Sequence, residues 1–383
     1  MLRGKNVDLY RDGGVTKTFA ARMAFRSASL KWKRYVFFAV LTALFFYVMI
    51  TGAMSMFYAG AVIRPPQTQV VPINKNLAFP YSSVTFKSRD REGAATLYGW
   101  HFNAKKTDSA LIIVHGFGSN RFPFDEQTLD LIEAIIKIDF NVLVFDLRNS
   151  GGSEPGVSAF GLHEKNDVLG AVDYMRDAGY SKIALLGVST GANTAAMAGA
   201  ASATEEIGAL ILDSPIVDMR LFILRLLHDL NPSLPEFPFT YAVPMMVGLY
   251  LNGDVLDANL NKNLYLNAEM QKPETQKPET QKPGAKKPEE KNPEAKKPET
   301  KKTESNKGPG VFLPRPVQLI YGSNDEIVSL DEITSLYDGY MSRAVGQISI
   351  WNVPGATHGE CYFYAKDEYI ERVTAFLRRV FNQ

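Results

Sequence analysis

Two kinds of hydrophobic pattern alternate along the chain from about residue 82 onward. Short, near-continuously apolar runs rich in Val, Ile and Leu predict strands that are buried on both faces, as in a parallel sheet. Longer stretches with apolar residues at helical spacing lie between them. The strands are predicted at 110–116, 141–148, 182–189, 208–214, 316–322 and 347–353, after a hairpin at 82–88 and 96–102, and the helices at 125–138, 163–178, 191–202, 330–343 and 364–381. This alternation predicts one α/β domain with helices on both faces of the sheet.

A long apolar segment precedes this domain. Residues 35–63 contain no charged side chain, and a helix needs about 20 apolar residues to cross the hydrocarbon core of a bilayer. Trp32, Tyr35 and Tyr58 lie near the edges of the segment, where amphipathic rings favour the membrane interface. We therefore predict a transmembrane helix over residues 35–63.

The segment before this helix, residues 1–34, is strongly basic. It contains nine Lys and Arg residues and only two Asp, and basic residues stay on the cytoplasmic side of a membrane span. The N-terminus is therefore expected in the cytoplasm and residues 64–383 outside it. The sequence AGA at 59–61 resembles a small-residue cleavage site. The apolar run is longer than that of a secretory signal, however, so we favour an uncleaved anchor.

Residues 271–310 form a low-complexity tract in the interior of the chain. Proline recurs there every five residues from Pro273 to Pro298, and the tract has 11 Lys, seven Glu and no aromatic residue. Such a composition cannot build a core, so the tract is expected to be solvated and extended. Its positive charge is not interleaved with aromatic rings that would stack on bases, so we expect no nucleic-acid partner.

The predicted strand at 182–189 ends in the pentapeptide GVSTG (187–191), which precedes a run of small, helix-forming residues. Glycines on both sides of Ser189 allow a sharp strand-to-helix turn that exposes the serine hydroxyl. The turn also places Ser189 at a helix N-terminus, where free N–H groups stabilise developing negative charge. Ser189 is the predicted nucleophile. The alternative is a tight turn whose serine only caps the helix.

A nucleophilic serine needs a base to remove its proton and a carboxylate to orient that base. Of five histidines, His358 is the one in the loop after the last predicted strand, at the sheet edge where functional loops gather. Asp325 follows the penultimate strand, and Asp213, at the end of the strand before it, competes for the same role. We predict a triad of Ser189, His358 and Asp325. The alternative for His358 is an ordinary surface-loop histidine.

The position of the triad decides how the tract at 271–310 is interpreted. Ser189 precedes the tract, whereas Asp325 and His358 follow it, so a domain boundary there would divide the triad. The entropic cost of closing a loop grows only slowly with its length. We therefore predict one catalytic domain over residues 64–383, interrupted by a solvated insertion.

Four stretches of the chain together resemble the α/β-hydrolases: HGFGSNR (115–121), DLRNSGGS (146–153), GVSTGA (187–192) and GATHG (355–359). The chain is similar in particular to membrane-anchored bacterial members described as lysophospholipase-like or serine-aminopeptidase-like. The resemblance covers about residues 82–383 apart from the tract. It implies the α/β-hydrolase fold, with a mostly parallel central sheet, helices on both faces and a small helical lid. One departure is Thr190, where relatives often have methionine.

The resemblance also implies an oxyanion hole. In such enzymes the HGFG stretch and the residue after the nucleophile each supply one backbone N–H, which here are those of Phe117 and Thr190. Loss of one such donor costs about 3 to 4 kcal/mol of transition-state stabilisation. The alternative for HGFG is an ordinary glycine-rich exit from a strand.

Residues 217–265 form the predicted lid and are rich in Leu, Phe, Met and Tyr. An apolar cover over the serine suits an acyl substrate, although packing of these side chains onto the sheet explains the pattern equally well. The single cysteine, Cys361, excludes an intrachain disulfide, and nothing resembles a zinc or iron–sulfur ligand set. No metal or organic cofactor is implied.

The sequence therefore predicts a membrane-anchored serine hydrolase that cleaves a small-molecule or lipid-like carboxylic ester through an acyl-enzyme. Three alternatives stay open: peptide or amide cleavage by the same triad, acyl transfer to another hydroxyl, and a catalytically silent scaffold of the same fold.

Overall fold

An eight-stranded sheet forms the centre of the protein, whose computed structural model describes residues 13–73, 77–104, 107–202, 206–252, 315–343 and 348–382. Its strands are β1 (Tyr81–Lys87), β2 (Thr96–Phe102), β3 (Ser109–Val114), β4 (Asn141–Phe145), β5 (Lys182–Val188), β6 (Ala209–Asp213), β7 (Val317–Gly322) and β8 (Ile348–Val353). They are arranged in the order β1-β2-β4-β3-β5-β6-β7-β8. The leading hairpin β1–β2 pairs antiparallel and β2 pairs antiparallel with β4, whereas every other neighbouring pair is parallel. The prediction of a mostly parallel sheet is confirmed.

The described part of the chain forms nine α-helices. They are α1 (Gly13–Val62), α2 (Thr128–Ile136), α3 (Lys165–Asp177), α4 (Thr190–Ala201), α5 (Met219–Leu230), α6 (Glu236–Tyr250), α7 (Leu330–Arg343), α8 (Cys361–Tyr364) and α9 (Lys366–Phe381). The predicted helix at 125–138 begins instead with a 3-10 turn over Asp125–Gln127, whose first residue has a positive φ of 47°. The predicted insertion at 271–310, the lid residues 253–265 and residues 1–12 lie outside the described residues.

Burial on both faces explains why the central strands read as continuous apolar runs. In β5, Ile183 and Leu185 pack into the core on the face covered by α3 and α4, whereas Ala184 and Leu186 pack with α2 and α9 on the other face. Alternate side chains of a strand point to opposite faces. Every position of such a strand must therefore be apolar.

The chain before and after residues 253–314 contributes to one sheet. Strand β6 pairs in parallel with β7, with Leu210 opposite Val317 and Asp213 opposite Ile320. Since β6 precedes the low-complexity tract and β7 follows it, the strands that flank the tract share a single core.

Helix α1 contains a segment, Lys31–Val62, that is long and apolar enough to cross a membrane, a property that signal sequences share. All side chains from 31 to 50 are exposed. The last turns of α1 pack on the domain instead: Ala59, Val62 and Ile63 are buried, and the Tyr58 ring meets Phe239 of α6 edge-on at 6.5 Å.

Candidate active site

Ser189 stands on the sharp turn between β5 and α4. Its backbone has φ 56° and ψ −127°, a conformation that costs about 1 to 3 kcal/mol for a residue other than glycine and is found at nucleophile turns. Only glycine fits on either side. A Cβ on Gly187 would lie 2.3 Å from the Gly191 carbonyl oxygen, and one on Gly191 would lie 2.4 Å from that of His115. The turn leaves the Ser189 side chain partly exposed.

The structure brings the three predicted triad residues together at the carboxyl ends of β5, β7 and β8. Ser189 Oγ lies 2.8 Å from His358 Nε2, and His358 Nδ1 lies 2.9 Å from Asp325 Oδ2. A carboxylate can only accept, so the Nδ1–H of His358 donates to Asp325 and leaves Nε2 to accept from the Ser189 hydroxyl. The arrangement has the hydrogen-bond directions that general-base activation of a serine requires.

Backbone amides hold the Asp325 carboxylate in place. Its second oxygen, Oδ1, accepts from the N–H groups of Ile327 at 2.8 Å and Val328 at 2.9 Å. The Asp325 side chain is only 1% exposed and that of His358 is 14% exposed. Water is therefore largely excluded from the carboxylate–imidazole contact, which strengthens it.

Asp213, the competing carboxylate, forms its hydrogen bonds with groups other than the His358 imidazole. It is fully buried and accepts from the Tyr369 hydroxyl at 2.9 Å and from Ser214 Oγ at 3.0 Å. Ser214 Oγ in turn accepts from the N–H of Gly359 at 3.1 Å. Asp213 thus supports the loop that carries His358, and burial raises its pKa to about 6.

The raised pKa of Asp213 predicts a change in stability with pH. The folded protein binds the proton of the Asp213 carboxyl group more tightly than the unfolded chain does. The stabilisation of the fold by this protonated group is therefore complete below about pH 4 and is lost as the pH rises through about 6. Between about pH 4 and 6, the parent should lose about 3 kcal/mol of its free energy of unfolding through this group. Asp213→Asn has no carboxyl group to ionise there and should not show this loss. Urea unfolding of both proteins at pH 4, 5, 6 and 7 measures the difference. Parallel curves would contradict the prediction.

The two predicted oxyanion residues are connected through a side chain. The Phe117 N–H donates to the hydroxyl oxygen of Thr190, Oγ1, at 2.7 Å, and Thr190 is buried. Sequence reasoning considered only the backbone N–H at position 190 and missed this hydroxyl. The signal available in the sequence was the hydroxyl side chain of Thr190, directly after Ser189.

Buried hydrogen bonds fix the loop that carries Phe117. His115 Nε2 accepts from the Leu147 N–H at 3.0 Å, so the ring proton lies on Nδ1, which donates to the Gly116 carbonyl at 2.8 Å. Burial lowers the pKa of His115 and keeps the ring neutral. His115 thus ties the Phe117 loop to the DLRNSGGS stretch, in which Asp146 forms a buried ion pair with Arg121 at 2.5 Å.

A cleft of about 730 Å³ opens beside His358. Helix α5 contributes Arg225, His228 and Asp229 to its wall, and the loops after β7 and β8 contribute Glu326 and Glu360. The wall beside the imidazole therefore carries charged side chains together with apolar surface such as that of Ile327.

The apolar part of the lid lies toward the Phe117 loop. Phe222 of α5 meets the rings of Phe117 and Phe160 edge-on at 6.1 and 6.2 Å, and those two rings stack at 5.5 Å. The α5 side chains that are buried pack into the core of the domain. Within the described ranges, no group of three or more His, Cys, Asp or Glu side chains is placed to hold a metal ion.

Comparison with known proteins agrees with this fold. A family model for the α/β hydrolase fold matches residues 109–348, more than half of the chain. The chain belongs to the α/β-hydrolase fold family. Its members share the strand-to-helix turn on which Ser189 stands.

Solved structures from two other organisms are similar in fold to this chain. The esterase Pf2001 from Pyrococcus furiosus has a TM-score of 0.57 and 21% identity, over 83% of this chain and 97% of that one. The α/β hydrolase GrgF from Penicillium sp. sh18 has a TM-score of 0.52 and 16% identity, over 79% and 100% of the two chains. At these identities the likeness is one of fold.

A curated relative matches part of the sequence. YqkD from Bacillus subtilis (strain 168), described as an uncharacterized protein, is 27% identical over 145 residues. The alignment covers 37% of this chain and 46% of YqkD, so it spans about half the length of that relative.

Proposed function

We propose that the protein is a membrane-anchored serine hydrolase that cleaves carboxylic esters through an acyl-enzyme. The observation that carries the proposal is the continuous path of hydrogen bonds from Ser189 Oγ through His358 to Asp325. An activated serine of this kind stands on the nucleophile turn of an α/β-hydrolase, which is where that fold performs acyl chemistry.

The proposed reaction has two halves. Ser189 Oγ attacks the acyl carbon while His358 Nε2 takes the hydroxyl proton, and the carbonyl oxygen becomes an oxyanion. His358 then gives the proton to the leaving alcohol as the carbon–oxygen bond of the ester breaks. In the second half, water gives a proton to His358 and attacks the acyl-enzyme, after which the proton returns to Ser189 and the acid departs. Asp325 stabilises the imidazolium in both halves.

One consideration favours an ester over an amide. A domain held at a membrane by α1 lies next to acyl esters of lipids. Pf2001, which is similar in fold, is described as an esterase, and ester cleavage by the present protein is consistent with that description.

The anchor is proposed to be α1, with a cytoplasmic N-terminus. The charge bias of nine basic against two acidic residues over 1–34 supports this orientation. The catalytic domain would then lie on the outer side of the cytoplasmic membrane, with its lid against the end of α1.

The Thr190 hydroxyl should slow the enzyme slightly by occupying the Phe117 N–H in the resting state. Thr190→Val keeps the branched shape and removes the competing acceptor. Since a neutral hydrogen bond contributes about 1 kcal/mol, kcat/KM for a soluble ester should rise about fivefold. Thr190→Ser keeps the acceptor and should match the parent. A fall of about tenfold or more in Thr190→Val would show instead that the hydroxyl itself donates to the oxyanion.

The substrate class can be tested with chromogenic compounds. The full-length chain in detergent micelles is assayed with p-nitrophenyl esters of increasing acyl length and with aminoacyl p-nitroanilides, and Ser189→Ala is assayed in parallel. Hydrolysis of the esters alone, lost in Ser189→Ala, is the expected result. Faster cleavage of the anilides would make the protein an amidase. No turnover of either class by a folded parent would contradict the proposed function.

A further inference from the structure

Helix α6 presents a row of large apolar side chains to its surroundings. Tyr241, Met245 and Leu249, here called the outer row, recur every four residues and are 65%, 58% and 66% exposed. The row opposite, Phe239, Val243 and Val247, is buried in the core of the domain. The helix therefore has apolar side chains on both sides, and its one charged residue is Glu236 at its start.

A helix in this condition is unusual in water. A surface helix keeps polar residues on its outer face, and a helix that is apolar all round is either enclosed by protein or surrounded by lipid. Contiguous exposed apolar side chains likewise mark an interaction surface. The outer row therefore requires a partner that is itself apolar.

The neighbour of α6 identifies that partner. Tyr58 of α1 meets Phe239 of α6 at 6.5 Å and its hydroxyl accepts from Asn231 Nδ2 at 2.6 Å. Farther along, the Arg64 guanidinium lies over the Tyr250 ring at 5.6 Å. Helix α6 is thus fixed against the end of the segment that is able to cross a membrane.

The exposed length of α1 sets the depth at which α6 lies. The charge-free run of α1 begins at Tyr35, and 20 helical residues from there, 35–54, extend about 30 Å, the thickness of the hydrocarbon core. Residues 35–50 are all exposed, and burial of α1 against the domain begins at Ser55, directly after this stretch. Helix α6 therefore packs where α1 leaves the hydrocarbon, at the level of the lipid headgroups and the first methylene groups.

We propose that the outer row of α6 is inserted into the lipid leaflet beside α1, with lipid acyl chains as its occupant. This inference rests on the membrane-anchored state of the proposed function. Arg220 of α5 lies over the Tyr241 ring at 4.9 Å, which places a cation next to the row, where lipid phosphates lie. Arginine beside an aromatic ring suits the boundary between headgroups and hydrocarbon.

The insertion connects the bilayer to the cleft. Helix α5 packs against α6 and carries Arg225 and His228, which line the cleft beside His358. A lid held in the leaflet keeps this cleft next to the acyl esters of the bilayer. The enzyme then takes its substrate from the membrane surface rather than from solution.

Depth-dependent quenching tests the contact directly. Met245→Cys and Leu249→Cys are labelled with bimane in the full-length chain and reconstituted in phosphatidylcholine–phosphatidylglycerol vesicles with a nitroxide on carbon 5 of some acyl chains. Leu330→Cys, whose parent side chain is 57% exposed on α7, is the matched control. The unsubstituted chain, whose one cysteine is buried, reports background labelling.

The expected result is strong quenching by the lipid nitroxide at 245 and 249, weak quenching at 330, and the opposite order with aqueous iodide. Equal quenching at all three positions by iodide would overturn the proposal, since the row would then face water. Protection of 245 and 249 from both quenchers would overturn it as well, because a protein segment or a second copy would then cover the row.

An activity measurement separates this inference from the proposed function. The double variant Met245→Gln, Leu249→Gln should lose about tenfold in activity on an ester carried in vesicles, because two of the three side chains of the outer row no longer favour the lipid. Its hydrolysis of a soluble short-chain ester should equal that of the parent. Equal loss on both substrates would contradict the lipid contact. A parent inactive on every ester would refute the proposed function, and the quenching result would still decide the contact.

Discussion

Replacing Ser189 with alanine is expected to abolish ester hydrolysis while the protein stays folded. Loss of the nucleophile in a serine triad removes about 10⁴-fold or more of kcat. The only side-chain hydrogen bond that Ser189 Oγ makes within the described residues is to His358 Nε2. The thermal transition should therefore move little. The measurement is the initial rate on a soluble p-nitrophenyl ester, with the midpoint of thermal unfolding recorded on the same preparation.

Ser181→Ala provides the matched control for this variant. Ser181 precedes β5 by one residue, at the opposite end of the strand from Ser189, and its hydroxyl donates to Asp108 Oδ2 at 3.1 Å. It should retain the parent's activity. A Ser189→Ala protein that kept a tenth or more of the parent's rate would exclude Ser189 as the nucleophile.

The second large effect is expected for Asp325→Asn. The carboxylate holds the His358 proton on Nδ1, and an amide at this position can turn its NH₂ group toward the ring. The proton would then move to Nε2, which could no longer accept from Ser189 Oγ, and kcat should fall about 10⁴-fold as in other triads whose aspartate is replaced in this way. The loss should appear in kcat and kcat/KM together, with KM little changed.

The variant Asp213→Asn tests whether Asp213 orients the catalytic imidazole or only supports the loop that carries it. Asp213 is bonded to Tyr369 and Ser214 rather than to the imidazole, so its replacement should leave activity within about tenfold of the parent and change the pH dependence of stability instead. If Asp213→Asn lost as much activity as Asp325→Asn, the orienting carboxylate would have been assigned wrongly.

The strands of the sheet could be predicted from the sequence because the burial of each strand is reflected in its own run of consecutive residues. A strand such as β5 is buried on both faces, so its positions from Ile183 to Val188 carry no polar side chain, and Lys182 and Ser189 stand on either side of this run. The neighbouring helices carry one apolar face and read at helical spacing. The order β2-β4-β3-β5, in contrast, depends on contacts between strands that are distant along the chain, and the hydrophobic pattern of a single strand does not predict it.

Residue types and strand ends indicated the candidate site, but side-chain direction did not follow from them. Asp213 ends β6 and Asp325 follows β7, at the same edge of the sheet. Asp325 is turned toward His358 by two backbone amides, and Asp213 is turned toward Tyr369 by a hydroxyl that lies 156 residues farther along the chain. Sequence spacing contains neither contact, so both carboxylates stay candidates until the fold is known.

Two further features escaped sequence reasoning for the same reason. The hydroxyl of Thr190 matters because it reaches the Phe117 N–H across the site. The apolar lid sequence is compatible both with packing on the domain and with contact to lipid. In the structure, one row of α6 side chains is buried in the domain and the outer row is exposed. The outer row points to a lipid contact only because α6 packs against α1, the helix that is able to cross a membrane.

Covalent labelling with a fluorophosphonate is the most direct test that Ser189 is an activated nucleophile. The full-length parent and Ser189→Ala are treated side by side, and the adduct is located by mass spectrometry of their peptides. The expected result is one adduct, on Ser189, in the parent and none in the variant. A folded parent that takes no label, or that is labelled equally in the variant, would contradict the proposed serine hydrolase.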